Sequence, residues 1–254
     1  MALYLGNKKV AVTNTIEKQV PSMKAFFEAG GKCQGSTVTS FEGLIQYDDT
    51  ENITNMNGMF ANCESLTITP LLNTSKVTSM YETFKNCSSI TTIQKMDTSK
   101  VTSMNGMFYG CYGVKTFPFF DTSNVEIMIT MFANCSGITE IPQYDTSRVS
   151  QMYYMFFSCS RLVTVPQFNV KNVYDMRGMF NGCRSIEHIH MININANLDI
   201  SASTKFTREA LIEIIGNLKA QTSGTKTLTM GSTNLAKLTD EDKKIATDKG
   251  WTLA

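Results

Sequence analysis

The chain has 254 residues, and its 23 Lys and Arg nearly balance its 22 Asp and Glu, for a net charge of +1. With no basic run, binding of nucleic acid by bulk charge is excluded; 42% apolar residues exclude a disordered chain, and no apolar run approaches the ~18 residues of a membrane span. Cys and Met are abundant at 7 and 16, whereas 2 His and 1 Trp leave little material for acid–base or metal chemistry.

The first segment, MALYLGNKKVAV, lacks a charged region followed by an apolar core, so no secretory signal is read there. Leu3–Leu5, Gly6-Asn7 and Lys9–Val12 predict a hairpin. Pro21–Ala29 predicts a helix, with Pro at its start and Gly30 at its end. Cys33 opens an atypical unit of 30 residues, which with the rest of 1–50 is expected to cap the open end of a repeat array.

From Cys63 the cysteines recur every 24 residues, at 87, 111, 135, 159 and 183. Other columns keep the same step. Phe60, Phe84, Phe108, Phe132, Phe156 and Phe180 lie three before each Cys, and Met56, Met80, Met104, Met128, Met152 and Met176 lie seven before. A fixed period of this size signals a solenoid, in which one unit cannot bury its own apolar edge and stacking buries a continuous core. Within a unit, Val77, Met80 and Phe84 fall at i, i+3 and i+7, the spacing of one helix face. Asp97-Thr98-Ser99, repeated at 121–123 and 145–147, supplies a cap before each such run. Apolar residues three and six after the Cys, as in Ile138 and Ile141, predict a short strand, ended by Pro70, Pro118, Pro142 and Pro166. The expected fold class is therefore α/β: a solenoid over residues 51–200 built from six 24-residue repeats, with one parallel sheet face and one short-helix face.

The Met columns are read as core filling. The Cys column is read as a buried, reduced ladder, because stacked side chains point the same way and no CxxC or paired histidines suggest zinc. Asp97, Asp121 and Asp145 are read as caps in preference to a calcium row, since no glycine-rich calcium loop accompanies them.

Beyond the regular units, Thr207–Ala220 predicts a helix with Leu211, Ile214, Ile215 and Leu218 on one face. Thr227–Met230 predicts a strand, Thr239–Lys249 a helix capped by Thr239 and stopped by Gly250, and Trp251–Leu253 a last strand. Residues 201–254 are thus expected to cap the other end, making one continuous domain.

Units such as DTSKVTSMNGMFYGC, followed by an apolar strand, resemble the BspA-like leucine-rich repeat over residues 50–195. The segment TKTLTMGSTNLAKLTDEDKKIATDKGWTLA is similar to C-terminal segments of such repeat proteins from gut-bacterial phages and prophages. The resemblance implies a right-handed leucine-rich-repeat-like solenoid. It also implies a setting in bacterial adhesion or a phage virion, and the missing export signal suits the virion.

No GxSxG, HExxH, P-loop or GxGxxG is present, so no catalytic residue, cofactor or metal site is assigned. His188 and His190, on one side of a strand, would need a further ligand to hold a metal. Two surfaces remain as candidate binding sites. The strand position five after each Cys carries Thr92, Thr116, Glu140, Thr164 and His188, where a lone Glu makes no glycosidase pair. Tyr109, Tyr112, Tyr153, Tyr154 and Phe157 stand in columns that hold Asn, Ser, Lys or Gly in other units, outside the expected core. The expected function is non-enzymatic: a tail- or fibre-associated virion protein binding a host-surface glycan or protein, or a neighbouring virion subunit. The alternative is a bacterial adhesion or interaction protein outside a virion, in the cytoplasm or at the cell surface. Neither nucleic-acid binding nor membrane insertion is expected.

Overall fold

The computed structural model describes residues 2–5, 8–11, 25, 30–33, 38–42 and 45–254. Strands β1 (Ala2–Leu5) and β2 (Lys8–Ala11) pair antiparallel, with Ala2 opposite Ala11 and Leu5 opposite Lys8, as the hairpin pattern predicts. Val12, the turn at 6–7 and the expected helix at 21–29, apart from Ala25, lie outside the described residues.

The repeat units are not helical, which corrects the expected short-helix face. In each unit three overlapping turns replace the helix. The N–H groups of Met59, Ala61 and Cys63 donate to the carbonyls of Met56, Gly58 and Phe60. The alternate N–H groups of Met56, Gly58, Phe60 and Asn62 donate to the next unit, at Ser79, Tyr81, Thr83 and Lys85. The same pattern recurs in the later units, as from Phe132 N–H to the Met155 carbonyl at 3.0 Å.

The reason lies in two positions per unit that take positive φ, as the third residue of a type II turn must. One is occupied by Gly58, Glu82, Gly106, Thr130, Tyr154 and Gly178, the other by Asn62, Asn86, Gly110, Asn134, Ser158 and Gly182. A right-handed helix cannot pass through such residues. Overlapping turns nevertheless return a side chain to the core about every three to four residues, which reproduces helical spacing in the sequence.

Residues 24 apart form a parallel bridge ladder through Asn55, Ser79, Ser103, Ile127, Gln151 and Asp175. The expected sheet face is less continuous. It is paired at Ile68–Thr92 and between β3 (Thr164–Val165) and β4 (His188–Ile189). Among the described residues the pairing does not run through 116 and 140. There the Phe117 ring wedges between Phe108 and Phe132, with centroids 4.9 and 4.6 Å away, and Pro118 and Pro142 offer no N–H to the ladder.

The periodic columns form the core. All the Met, Phe and Cys residues of the repeat columns are buried. Rings stack from Phe60 through Phe84, Phe108, Phe132 and Phe156 to Phe180, at centroid distances of 5.3, 5.7, 6.3, 5.7 and 6.0 Å and within 7° of parallel. All seven cysteines are free and buried. From Cys63 onward each thiol donates to a carbonyl of the preceding unit, as from Cys87 to Phe60 at 3.0 Å and from Cys159 to Phe132 at 3.0 Å. A small apolar side chain with a weak donor suits that position.

The Asp column closes turns in place of helices. Asp97 Oδ1 accepts from the N–H and hydroxyl of Ser99 at 3.0 and 2.7 Å, and Asp121 does the same for Ser123. The Ser99 hydroxyl and N–H hold Asp97 below the ordinary aspartate range. The buried hydroxyls of Thr98 and Thr122 donate to the next unit's carbonyls at Asp121 and Asp145, each at 2.8 Å. The Thr74 hydroxyl, in the same column, is buried without a partner among the described residues. Thr98→Val is therefore expected to cost about 1–3 kcal/mol by orphaning a carbonyl, while Thr74→Val is near neutral. Denaturant midpoints of the two variants check this, and equal losses would refute it.

The C-terminal elements follow the predicted order. Helix α1 (Arg208–Gly216) is capped by the Thr207 side chain and buries Leu211, Ile214 and Ile215. The helix stops short of Leu218, which is buried in a bridge to Ile194. Strands β5 (Leu198–Asp199), β6 (Lys226–Thr229) and β7 (Trp251–Leu253) form a parallel sheet in that order. Two further helices, α2 (Ser232–Leu235) and α3 (Asp240–Asp248), join β6 to β7. Thr239 caps α3 in a capping box with Asp242, and Asp242 also takes two 2.8 Å bonds from Arg208, tying α1 to α3. The architecture is an α/β repeat fold.

Candidate functional site

Of the strand-side residues, Thr92, Thr116, Glu140 and His188 are exposed and Thr164 is half-buried. The structure pairs Thr164 with His188 in β3–β4. Where the ladder opens, Thr116 and Glu140 line a cleft of about 300 Å³ with Phe117, Ile141 and Pro142. Glu140 is the one ionisable side chain of that lining, so the cleft itself brings no second carboxylate to it. His188 and His190 stack 5.8 Å apart, and His190 Nδ1 lies 2.7 Å from Glu213 Oε1 on α1. Among the described residues, no group of three or more His, Cys, Asp or Glu side chains is placed to hold a metal ion.

On the turn side, the aromatic residues form two groups. Tyr153, Tyr154 and Phe157 make one cluster: Tyr154 is 6.0 Å from Tyr153 and 5.7 Å from Phe157, nearly perpendicular to both. Arg177 sits 5.8 Å over Tyr153. Tyr109, two units away, is half-buried under Lys85, whose Nζ lies 5.6 Å from the ring centroid. Tyr112 is 51% exposed. No ring contact is found between the two groups among the described residues. Tyr81, 40% exposed, lies in the same column as Tyr153 and escaped the sequence reading, although its column holds Asn57, Asn105, Ile129 and Arg177 elsewhere.

A second apolar surface was also missed. Tyr47, Leu71 and Phe119 are exposed beside a groove of about 570 Å³ that Lys95 also lines. Leu71 and Phe119 occupy the eighth position after the Cys, which is Lys95, Gln143 and Gln167 in other units. The test that found Tyr109 and Tyr153, an apolar residue in a polar column, would have found them as well.

Among the described residues, no helix is long and apolar enough to cross a membrane. What the architecture defines is an α/β repeat protein, a buried periodic core whose outer columns vary from unit to unit. Residues 21–116 and 113–210 match the family described as "Mycoplasma protein of unknown function, DUF285", and the chain belongs to that family. This agrees with the BspA-like leucine-rich-repeat character of its motif. A leucine-rich repeat protein of T. pallidum is similar over 80% of this chain and 79% of that one, at 15% identity and a TM-score of 0.41. No curated protein matches the chain.

Proposed function

We propose that this protein is a non-enzymatic binding module, a right-handed solenoid that engages a macromolecular surface through its exposed turn-side aromatics. The observation that carries this is the Tyr153–Tyr154–Phe157 cluster: three rings outside the core, in columns that hold mostly polar or small residues in other units. Tyrosine gives broad contact area at low entropic cost, and an extended repeat surface suits large partners. We read residues 1–50 and 201–254 as caps on the regular units of 51–200, in one continuous domain.

Its setting, in our reading, is a phage virion, tail or fibre associated, with a host-surface glycan or protein or a neighbouring virion subunit as partner. The similarity of the C-terminal segment to those of phage-encoded repeat proteins supports this. The mycoplasma description of the family favours a second setting, a bacterial adhesion or interaction protein outside any virion. Probing purified particles with antibody to the chain separates the two: labelled particles are expected, and unlabelled ones leave the bacterial setting.

The binding reading is tested on host cells and purified envelope material. Saturable binding without turnover is expected, weakened by Tyr153→Ala with Tyr154→Ala. Saturable cleavage lost on Glu140→Gln would replace it with an enzyme.

A further inference from the structure

The turn position five before each cysteine requires positive φ, and three units satisfy it with Gly58, Gly106 and Gly178. The other three hold Glu82, Thr130 and Tyr154 there, at φ of 52°, 49° and 55°. For a β-branched or bulky aromatic residue this is a strained conformation, and glycine would adopt it freely. Core packing does not repay the strain: Tyr154 is 42% exposed, and Glu82 and Thr130 are only half-buried. Backbone strain held at a surface points to a side chain that is needed for something other than the fold.

The surroundings of Tyr154 suggest what that is. A Cβ on Gly178 would fall 2.2 Å from Tyr154 Cε1, so the ring covers Gly178 and depends on that glycine for its seat. Tyr153 and Phe157 stand at 86° and 84° to the Tyr154 ring, bounding it with two upright walls. The cation over Tyr153 is already neutralised: Arg177 is paired with Asp175, with Nη2 to Oδ2 at 2.8 Å.

Resting on the binding-module reading, we propose that this corner binds a neutral glycan, with a pyranose ring stacked on Tyr154 between Tyr153 and Phe157. The apolar C–H face of a hexopyranose complements an exposed aromatic face. Charge disfavours a polyanion, because the Arg177 cation over Tyr153 is already paired with Asp175. Size disfavours a protein, whose interface takes roughly 800 Å² from each partner around an apolar centre, whereas three rings seat one or two sugars.

The test is retention of the full chain on an array of immobilised neutral hexose and N-acetylhexosamine oligosaccharides, beside sialylated and sulfated ones, with host-cell binding measured in parallel. Retention on neutral members is expected, falling at least ten-fold in both Tyr154→Gly and Tyr154→Asn. Both variants tolerate positive φ, so their melting temperature should stay level or rise. Retention on acidic members alone, or neutral binding that survives both variants, overturns the proposal, as does loss only on Thr164→Ala across the sheet side. Host-cell binding without any glycan retention overturns the glycan chemistry and leaves the binding module standing. No binding to either overturns both.

Discussion

Raising the pH above 9 is expected to unfold this protein steeply, even with reductant present. Burial pushes the thiols of Cys33, Cys111, Cys135, Cys159 and Cys183 upward from an ordinary value of 9.0, to about 12 for Cys111 and Cys183, and the hydrogen bond with the Cys63 thiol, then burial, raises Cys87. A group whose pKa is raised on folding contributes stability below its unfolded value, and that stability is lost as pH rises toward the folded one. Between those limits the unfolded chain sheds protons that the folded one retains, at about 1.4 kcal/mol per pH unit for each thiol. Six such thiols acting together approach ~8 kcal/mol per unit, against a total domain stability of about 5–15 kcal/mol. Denaturant midpoints between pH 7 and 10.5 should therefore collapse above pH 9, and less steeply in Cys111→Ala. A flat profile would mean that the thiols are not buried together. The companion measurement is a thiol titration: all seven cysteines should react slowly in the native state and fully after unfolding without reductant. Fewer than seven would mean disulfides.

Phe132→Ala is expected to cost about 3–5 kcal/mol, at the upper range for core truncations. Phe132 stands where the aromatic rows meet, with centroids 6.3 Å from Phe108, 5.7 Å from Phe156, 4.6 Å from Phe117 and 6.2 Å from Tyr144. Its loss opens a cavity that neighbouring units cannot close, because each is held by ladder bonds on both sides, including Phe132 N–H to the Met155 carbonyl. Lys100→Ala, at an exposed site, should cost less than about 0.5 kcal/mol. Equal midpoints for the two variants would remove Phe132 from the core.

The Cys, Phe and Met columns name the buried residues without any coordinates, because a fixed period puts chemically identical positions in identical surroundings. Thr239 announces the last helix in the same direct way, through a side chain that satisfies a first-turn amide. The outward residues Tyr109, Tyr112, Tyr153, Tyr154 and Phe157 were legible as exceptions to their columns, and the structure leaves all of them at least partly exposed.

The backbone between those landmarks was not legible. Overlapping turns and a helix bury residues at nearly the same spacing, so the pattern Val77, Met80, Phe84 fits both. What separates them is the sign of φ at Glu82, Thr130 and Tyr154, residues that ordinarily avoid positive φ. Only the hydrogen bonds to the neighbouring unit compel it, by turning every second N–H out of the local turn. The same holds for the gap in the sheet face: Thr116 and Glu140 continue a strand column in sequence, yet the Phe117 ring, seated between Phe108 and Phe132, separates their backbones. Periodicity by itself determined which residues face inward, since burial depends on residue type repeated at a fixed step. The tertiary structure decided the backbone path and the seat of the Tyr154 ring over Gly178, since both depend on contacts between units that lie far apart along the chain.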